Sequence, residues 1–157
     1  MHRGIAVLSK LGVDVGGVIL YKHHSSSKEI PGAVDALFQL AQAGVEVHII
    51  SACFTDKMRL NTMEWFEDNQ FYGRSGVSIE NVHFVKQREQ KLYKLRVLGV
   101  NAFIDDRDDI IDHLHSGGIG NLYWFNIDGI NPKRPKCLQN PGVTEVQTWG
   151  DVLFEIL

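Results

Sequence analysis

The chain is poor in cysteine and in proline, and it has no marked excess of charge of either sign. Two cysteines among 157 residues, Cys53 and Cys137, are too few for a disulfide framework and fit a reducing compartment. Three of the four prolines fall within residues 126–144, so that segment reads as an irregular excursion. A formal net charge of −3 leaves no electrostatic footprint for nucleic acid. Long hydrophobic runs are missing too. The apolar part of Met1–Leu8 is too short for a secretory signal, and Lys10 and Asp14 interrupt any membrane span. No repeat or low-complexity tract occurs apart from His23-His24-Ser25-Ser26-Ser27, which reads as an exposed loop. What remains is ordinary globular composition, 44% hydrophobic and 22% charged. The length fits one domain over 1–157, able to bury roughly 70% of its unfolded surface. The expectation is a cytoplasmic protein with no membrane partner.

Apolar runs of strand length alternate with helical patterns, which predicts βαβ units around a mostly parallel sheet. Lys10–Asp14 reads as the first strand, begun earlier if Ile5–Leu8 joins it. Pro31 is expected to open a helix carrying Val34, Leu37, Phe38, Leu40 and Ala41, closed by Gly44. Val45–Ile50 is the second strand. Thr55 caps a helix bearing Met58, Leu60, Met63, Trp65 and Phe66, and Tyr72–Gly76 is a glycine-containing connection. Val82–Val85, Asn101–Ile104 and Leu122–Phe125 are further strands, the last being the final one. Helices are expected over Glu89–Leu98, near Asp108–His115, and over Thr148–Leu157. The fold class is α/β, a three-layer, doubly wound, Rossmann-like domain.

Such sheets bind ligands at the carboxyl ends of their strands. Asp14, Ser51, Asp105 and Asp106 all fall at that edge. Two apolar strands delivering carboxylates there supply what a hard, oxygen-seeking cation such as Mg²⁺ needs. Gly16 and Gly17 let the backbone approach an anion closely. Metal and anion beside a carboxylate point to phosphate chemistry.

In order and content these motifs resemble the haloacid dehalogenase superfamily. The first, Asp-x-Asp-Gly-Thr/Val in that family, stands here as Asp14-Val15-Gly16-Gly17-Val18. The second, an apolar strand ending in Ser or Thr, is Val47-His48-Ile49-Ile50-Ser51. A lysine follows, and then the acidic pair Asp105-Asp106. The closing Val146–Val152 also looks like the tail of small members. The resemblance implies a phosphatase in which Asp14 is the nucleophile, forming an aspartyl-phosphate. It further implies Mg²⁺ held by Asp14, the Gly16 carbonyl, Asp105 and Asp106. Phosphate would be bound by Gly16, Gly17, Ser51, Ala52 and the lysine. Lys91, opening the helix that feeds the Asp105 strand, is preferred for that lysine over Lys86, with Lys94 third.

Gly16 departs from the family pattern. A glycine keeps the backbone carbonyl for the metal but removes the carboxyl that serves as general acid, an effect worth about 10²–10⁴-fold in rate. The expected function is therefore a Mg²⁺-dependent phosphohydrolase without that acid. The alternative is a weak or inactive relative that binds Mg²⁺ and phosphate groups as a regulatory module. About 36 residues separate Asp14 from Ser51 and about 39 separate Ser51 from Lys91, which leaves no room for a cap domain. Only the loop 23–28 would serve as a flap. The open site suits a phosphorylated macromolecule, or a small molecule with a homo-oligomeric neighbour as lid. Asp108 and Asp109 read as a helix-opening pair, with Asp109 a candidate to orient Lys91. His48 reads as packed against a helix and Cys53 as a small buried hydrophobe, while Arg88 and Arg96 read by default as a solvated helix face, with recognition of phosphate or nucleic acid as the alternative.

Overall fold

The computed structural model describes residues 8–22 and 28–157; the expected extension through residues 5–7 and the loop 23–27 with His23 and His24 lie outside them. Six parallel strands form the sheet in the order β3-β2-β1-β4-β5-β6. They are β1 (Lys10–Val13), β2 (Glu46–Ala52), β3 (Val82–Val85), β4 (Ala102–Asp105), β5 (Asn121–Phe125) and β6 (Val143–Val146). The helices are α1 (Ala33–Gln42), α2 (Asp56–Asp68), α3 (Phe71–Ser75), α4 (Gln90–Leu98), α5 (Asp108–Ser116) and α6 (Trp149–Ile156).

Alternation along each strand builds two cores. Ile49, Ile104, Tyr123 and Phe125 pack on one face with Leu37 and Leu40 of α1 and Trp149 and Val152 of α6. Ile50, Phe103, Leu122 and Trp124 pack on the other with Leu95 of α4 and Ile111 and Leu114 of α5. The result is the expected three-layer α/β arrangement. No separate cap domain occurs among the described residues, and no described helix is long and apolar enough to cross a membrane.

Four expectations need correction. Leu122–Phe125 is not the final strand, because Val143–Val146 pairs in parallel beside it in the register Leu122↔Val143 to Phe125↔Val146. Only the end of the segment 126–144 is affected, and the adjacent polar pair Thr144-Glu145 breaks any period-2 or continuous apolar reading of the strand. Pro31 does not open α1. Gly32, in the left-handed conformation at φ 80°, occupies the cap position, so the proline sits in the preceding turn. Residues Phe71–Ser75 form a short helix where a plain connection was expected. In α2 only Phe66 is buried, while Met58 and Leu60 are exposed.

The strand order reverses between β1 and β4, which opens a crevice at their carboxyl ends. There Val13 pairs with Ile104, and the Asp14 amide donates to the Ile104 carbonyl at 3.0 Å. Register alone thus sets Asp14 beside Asp105.

Candidate active site

Three strand ends and one helix converge on this crevice. Asp14 follows β1, Ser51 is the penultimate residue of β2, Asp105 ends β4, and Lys91 lies in the first turn of α4. All four are buried, Asp105 completely and Lys91 to 2% exposure. The Lys91 ammonium donates to Asp105 Oδ2 at 2.8 Å and lies 3.1 Å from Asp14 Oδ1. Lys86 is exposed at the end of β3, so Lys91 is the lysine that the fold brings to the carboxylates. Asp109 does not orient it, because its carboxylate is occupied by Arg107 at 3.1 and 2.9 Å.

Asp14, Asp105 and Asp106 each offer an oxygen, and these oxygens lie within 4.8 Å of one another. Burial, then the charge of Asp105, pushes Asp14 up to about 8 even though Lys91 acts in the opposite direction. Burial and Asp105 push Asp106 up to about 6, opposed by Lys22. Burial alone would lower Lys91, but Asp105 and Asp14 outweigh it and hold the ammonium well above its ordinary range. Three crowded carboxylates, with Asp14 and Asp106 both pushed up by burial and by the charge of Asp105, are a donor set that a hard divalent cation satisfies. The buried Asp106 Oδ1 fits the same reading, since it has no hydrogen-bond partner among the described residues.

The surrounding backbone holds these groups in place. Arg107 N–H donates to Asp105 Oδ1 at 3.0 Å, and the Trp124 indole N–H donates to the Asp106 carbonyl at 3.0 Å. After Asp14 the chain turns tightly. Gly17, at φ 83°, donates its amide to the Leu20 carbonyl at 2.7 Å and packs directly on the Asp106 side chain. The buried indole of Trp149, at the start of α6, donates to the Val18 carbonyl at 2.8 Å and pins this turn from the far end of the sequence.

Above these groups lies a cleft of about 500 Å³. It is lined by Asp14, Gly16, Ser51, Ala52 and Lys91 from the expected set. Cys53 also lines it, with its thiol 3.7 Å from the Ser51 hydroxyl. His48 is buried and is not among the residues lining the cleft. It stacks on His83 and lies within hydrogen-bond distance of both His83 and Glu46.

Sequence reasoning missed Lys22, which pairs with Asp106 Oδ2 at 2.6 Å across from Gly16. Nothing periodic marks it, because it arrives through a loop. Tyr21 N–H bonds the Lys28 carbonyl at 2.8 Å, closing the base of the segment 23–27. Phe54 and Met58 also line the cleft wall, and the sequence marks neither for it, since Phe54 falls in no predicted element and Met58 stands only among the apolar residues of the α2 pattern.

Solved structures match this geometry in fold. D,D-heptose 1,7-bisphosphate phosphatase from B. bronchiseptica, complexed with magnesium and phosphate, superposes with a TM-score of 0.70 at 11% identity, over 94% of this chain and 97% of that one. The fold is haloacid dehalogenase-like. The cobalt-bound deoxy-D-mannose-octulosonate 8-phosphate phosphatase from Haemophilus influenzae gives 0.58 at 16% identity, over 96% and 87%. A haloacid dehalogenase-like hydrolase from Burkholderia xenovorans gives 0.55 at 16% identity, over 82% of this chain but 58% of its own. The chain thus spans most of the length of the two phosphatases and only part of the longer hydrolase. No protein-family model and no curated protein matches the sequence.

Proposed function

We propose that this protein is a metal-dependent phosphohydrolase acting on phosphate monoesters or acyl phosphates, with Asp14 as its nucleophile. The observation that carries this reading is the Asp14–Lys91–Asp105 cluster at the base of an open cleft, with Asp106 beside it. Asp14, Asp105 and Asp106, together with the Gly16 carbonyl, would hold a divalent cation, Mg²⁺ being the expected one. When bound, that cation supplies neutralisation of charge between the carboxylate and a phosphoryl group.

The chain's own residues account for the rest. The free Asp14 oxygen attacks phosphorus, the bond to the leaving-group oxygen breaks, and an aspartyl-phosphate forms. Lys91 holds the other Asp14 oxygen and favours the charged carboxylate that the attack requires. The Ser51 hydroxyl and the Ala52 amide are the candidate donors to the phosphoryl oxygens, with Lys91 as point cation. Water then attacks the acyl-phosphate, releasing inorganic phosphate and restoring the Asp14 carboxylate. Gly16 offers no proton to the departing oxygen, so the leaving group takes one from solvent. Substrates whose leaving groups depart readily as anions, such as aryl and acyl phosphates, suffer least from this lack.

An aryl phosphate incubated with the protein and Mg²⁺ is expected to release phosphate, and turnover should vanish with chelator or in Asp14→Asn. Turnover that survives both changes overturns the reading. Gly16 also favours a second reading, a module that binds metal and phosphate without hydrolysis. Beryllofluoride binding with no turnover on aryl or acyl phosphates would select it.

A further inference from the structure

Four cationic side chains line the cleft, and three of them are already engaged. Lys91 is held by Asp14 and Asp105, Lys22 by Asp106, and the Arg107 guanidinium forks onto Asp109. Arg88, in the loop between β3 and α4, differs. Its guanidinium carbon lies 4.7 Å from the centroid of the Phe54 ring, and the guanidinium has no ion-pair or hydrogen-bond partner among the described residues. Its charge reaches Asp109, but the Asp109 carboxylate is taken by Arg107.

Stacking on a ring occupies the face of a guanidinium and leaves its in-plane N–H donors free. Those donors match the paired oxygens of a carboxylate or phosphate. Phe54 (41% exposed) and Met58 (39% exposed) add apolar surface in the same wall of the cleft. A cation braced on an aromatic ring, with unfilled donors, in the cleft that holds Asp14 and Lys91 is arranged for an anion on the substrate.

We infer that Arg88, braced on Phe54, binds a second oxyanion carried by the leaving-group part of the substrate. The substrates are then phosphate monoesters bearing a further carboxylate or phosphate. This inference rests on the phosphohydrolase reading for the identity of the first group.

Calorimetry with phenylphosphonate, 4-carboxyphenylphosphonate and 1,4-phenylenebisphosphonate in Mg²⁺ tests it, on the wild type, Arg88→Ala and Arg88→Lys. The wild type should bind at least one of the two compounds with a second anion about 10- to 100-fold more tightly than phenylphosphonate. Arg88→Ala should abolish that preference, and Arg88→Lys should recover part of it. The relative affinity of the two compounds tells carboxylate from phosphate. Phenylphosphonate binding without any such preference, or a preference that survives Arg88→Ala, overturns the inference. Parallel turnover of phenyl phosphate and 4-carboxyphenyl phosphate keeps the two ideas separate. An Arg88-dependent preference with neither ester hydrolysed sinks the phosphohydrolase reading and leaves the subsite standing. Hydrolysis of both esters with no preference does the reverse, and failure of all three phosphonates to bind the wild type overturns both.

Discussion

The Lys91 ammonium donates to Asp105 at 2.8 Å, with the lysine side chain 2% exposed and the aspartate side chain fully buried. The two residues reach each other from α4 and β4, and the same ammonium bridges to Asp14. Removing one partner of a buried pair strands the other charge in low dielectric, at a cost of about 3–5 kcal/mol. Lys91→Met is therefore expected to lower unfolding free energy by that much in metal-free protein, as read by urea denaturation. A loss below about 1 kcal/mol would mean that the pair is weakly coupled to folding.

The acidic cluster makes a prediction of its own. A cation that binds only the folded state stabilises it by about 2.7 kcal/mol at one hundred times its dissociation constant. For a chain of this length that corresponds to roughly 5–11 °C in melting temperature. Saturating Mg²⁺ should raise the melting temperature over that range relative to chelator, and Asp106→Asn should shrink the gain. Equal melting temperatures with Mg²⁺ and chelator would argue against the metal site.

Gly16 and Gly17 should respond in opposite ways. A Cβ at Gly16 meets only the Lys22 side chain, at 3.7 Å, so Gly16→Asp is expected to fold normally. Restoring a carboxyl there should raise turnover of alkyl phosphates more than that of aryl phosphates, because poor leaving groups depend most on an acid. Gly17 has φ 83° and lies against the Asp106 side chain. Gly17→Ala should cost roughly 1–2 kcal/mol from backbone conformation alone and weaken Mg²⁺ binding as Asp106 is displaced. Equal gains on both ester classes for Gly16→Asp would show that proton transfer there does not limit the rate.

Legibility in the sequence followed the kind of signal each residue carries. Asp14, Ser51, Asp105 and Asp106 stand out because each ends an apolar run, and parallel strands bring such ends to one edge. Lys91 was recognisable from its place at the start of the helix that feeds β4. Lys22, Phe54 and Met58 carried no such mark. Lys22 comes to Asp106 through a loop, and Phe54 and Met58 are apolar residues whose exposure no periodicity announces. Val143–Val146 was hidden because its central Thr144-Glu145 breaks the apolar pattern and Pro141-Gly142 precedes it. Trp149 was visible as part of the tail, but its bond to Val18 depends on how α6 packs across the sheet.

Asp112 of α5 ties down the irregular segment before β6 by accepting the amides of Lys136 and Cys137 at 2.9 Å each. Burial alone would raise its carboxyl, but those donors outweigh it and hold it below its ordinary value. A depressed folded pKa stabilises the protein above the unfolded value of about 3.9. That contribution is lost as pH falls through the still lower folded value. Asp112→Ala should cost about 1–2 kcal/mol at pH 7, the partial solvent access of the carboxylate being allowed for. The gap between variant and wild type should begin to narrow as pH falls below about 4. Chemical denaturation at pH 7 and pH 3 checks this, and a gap no smaller at pH 3 than at pH 7 would contradict the assignment.

The central claim is that Asp14 attacks phosphorus, and mass spectrometry of protein acid-quenched during turnover of an acyl phosphate with Mg²⁺ tests it most directly. The account predicts one phosphoryl group on the peptide carrying Asp14, absent in Asp14→Asn and absent when chelator replaces Mg²⁺. A phosphoryl group on another residue, or sustained turnover with Asp14 replaced, would contradict it.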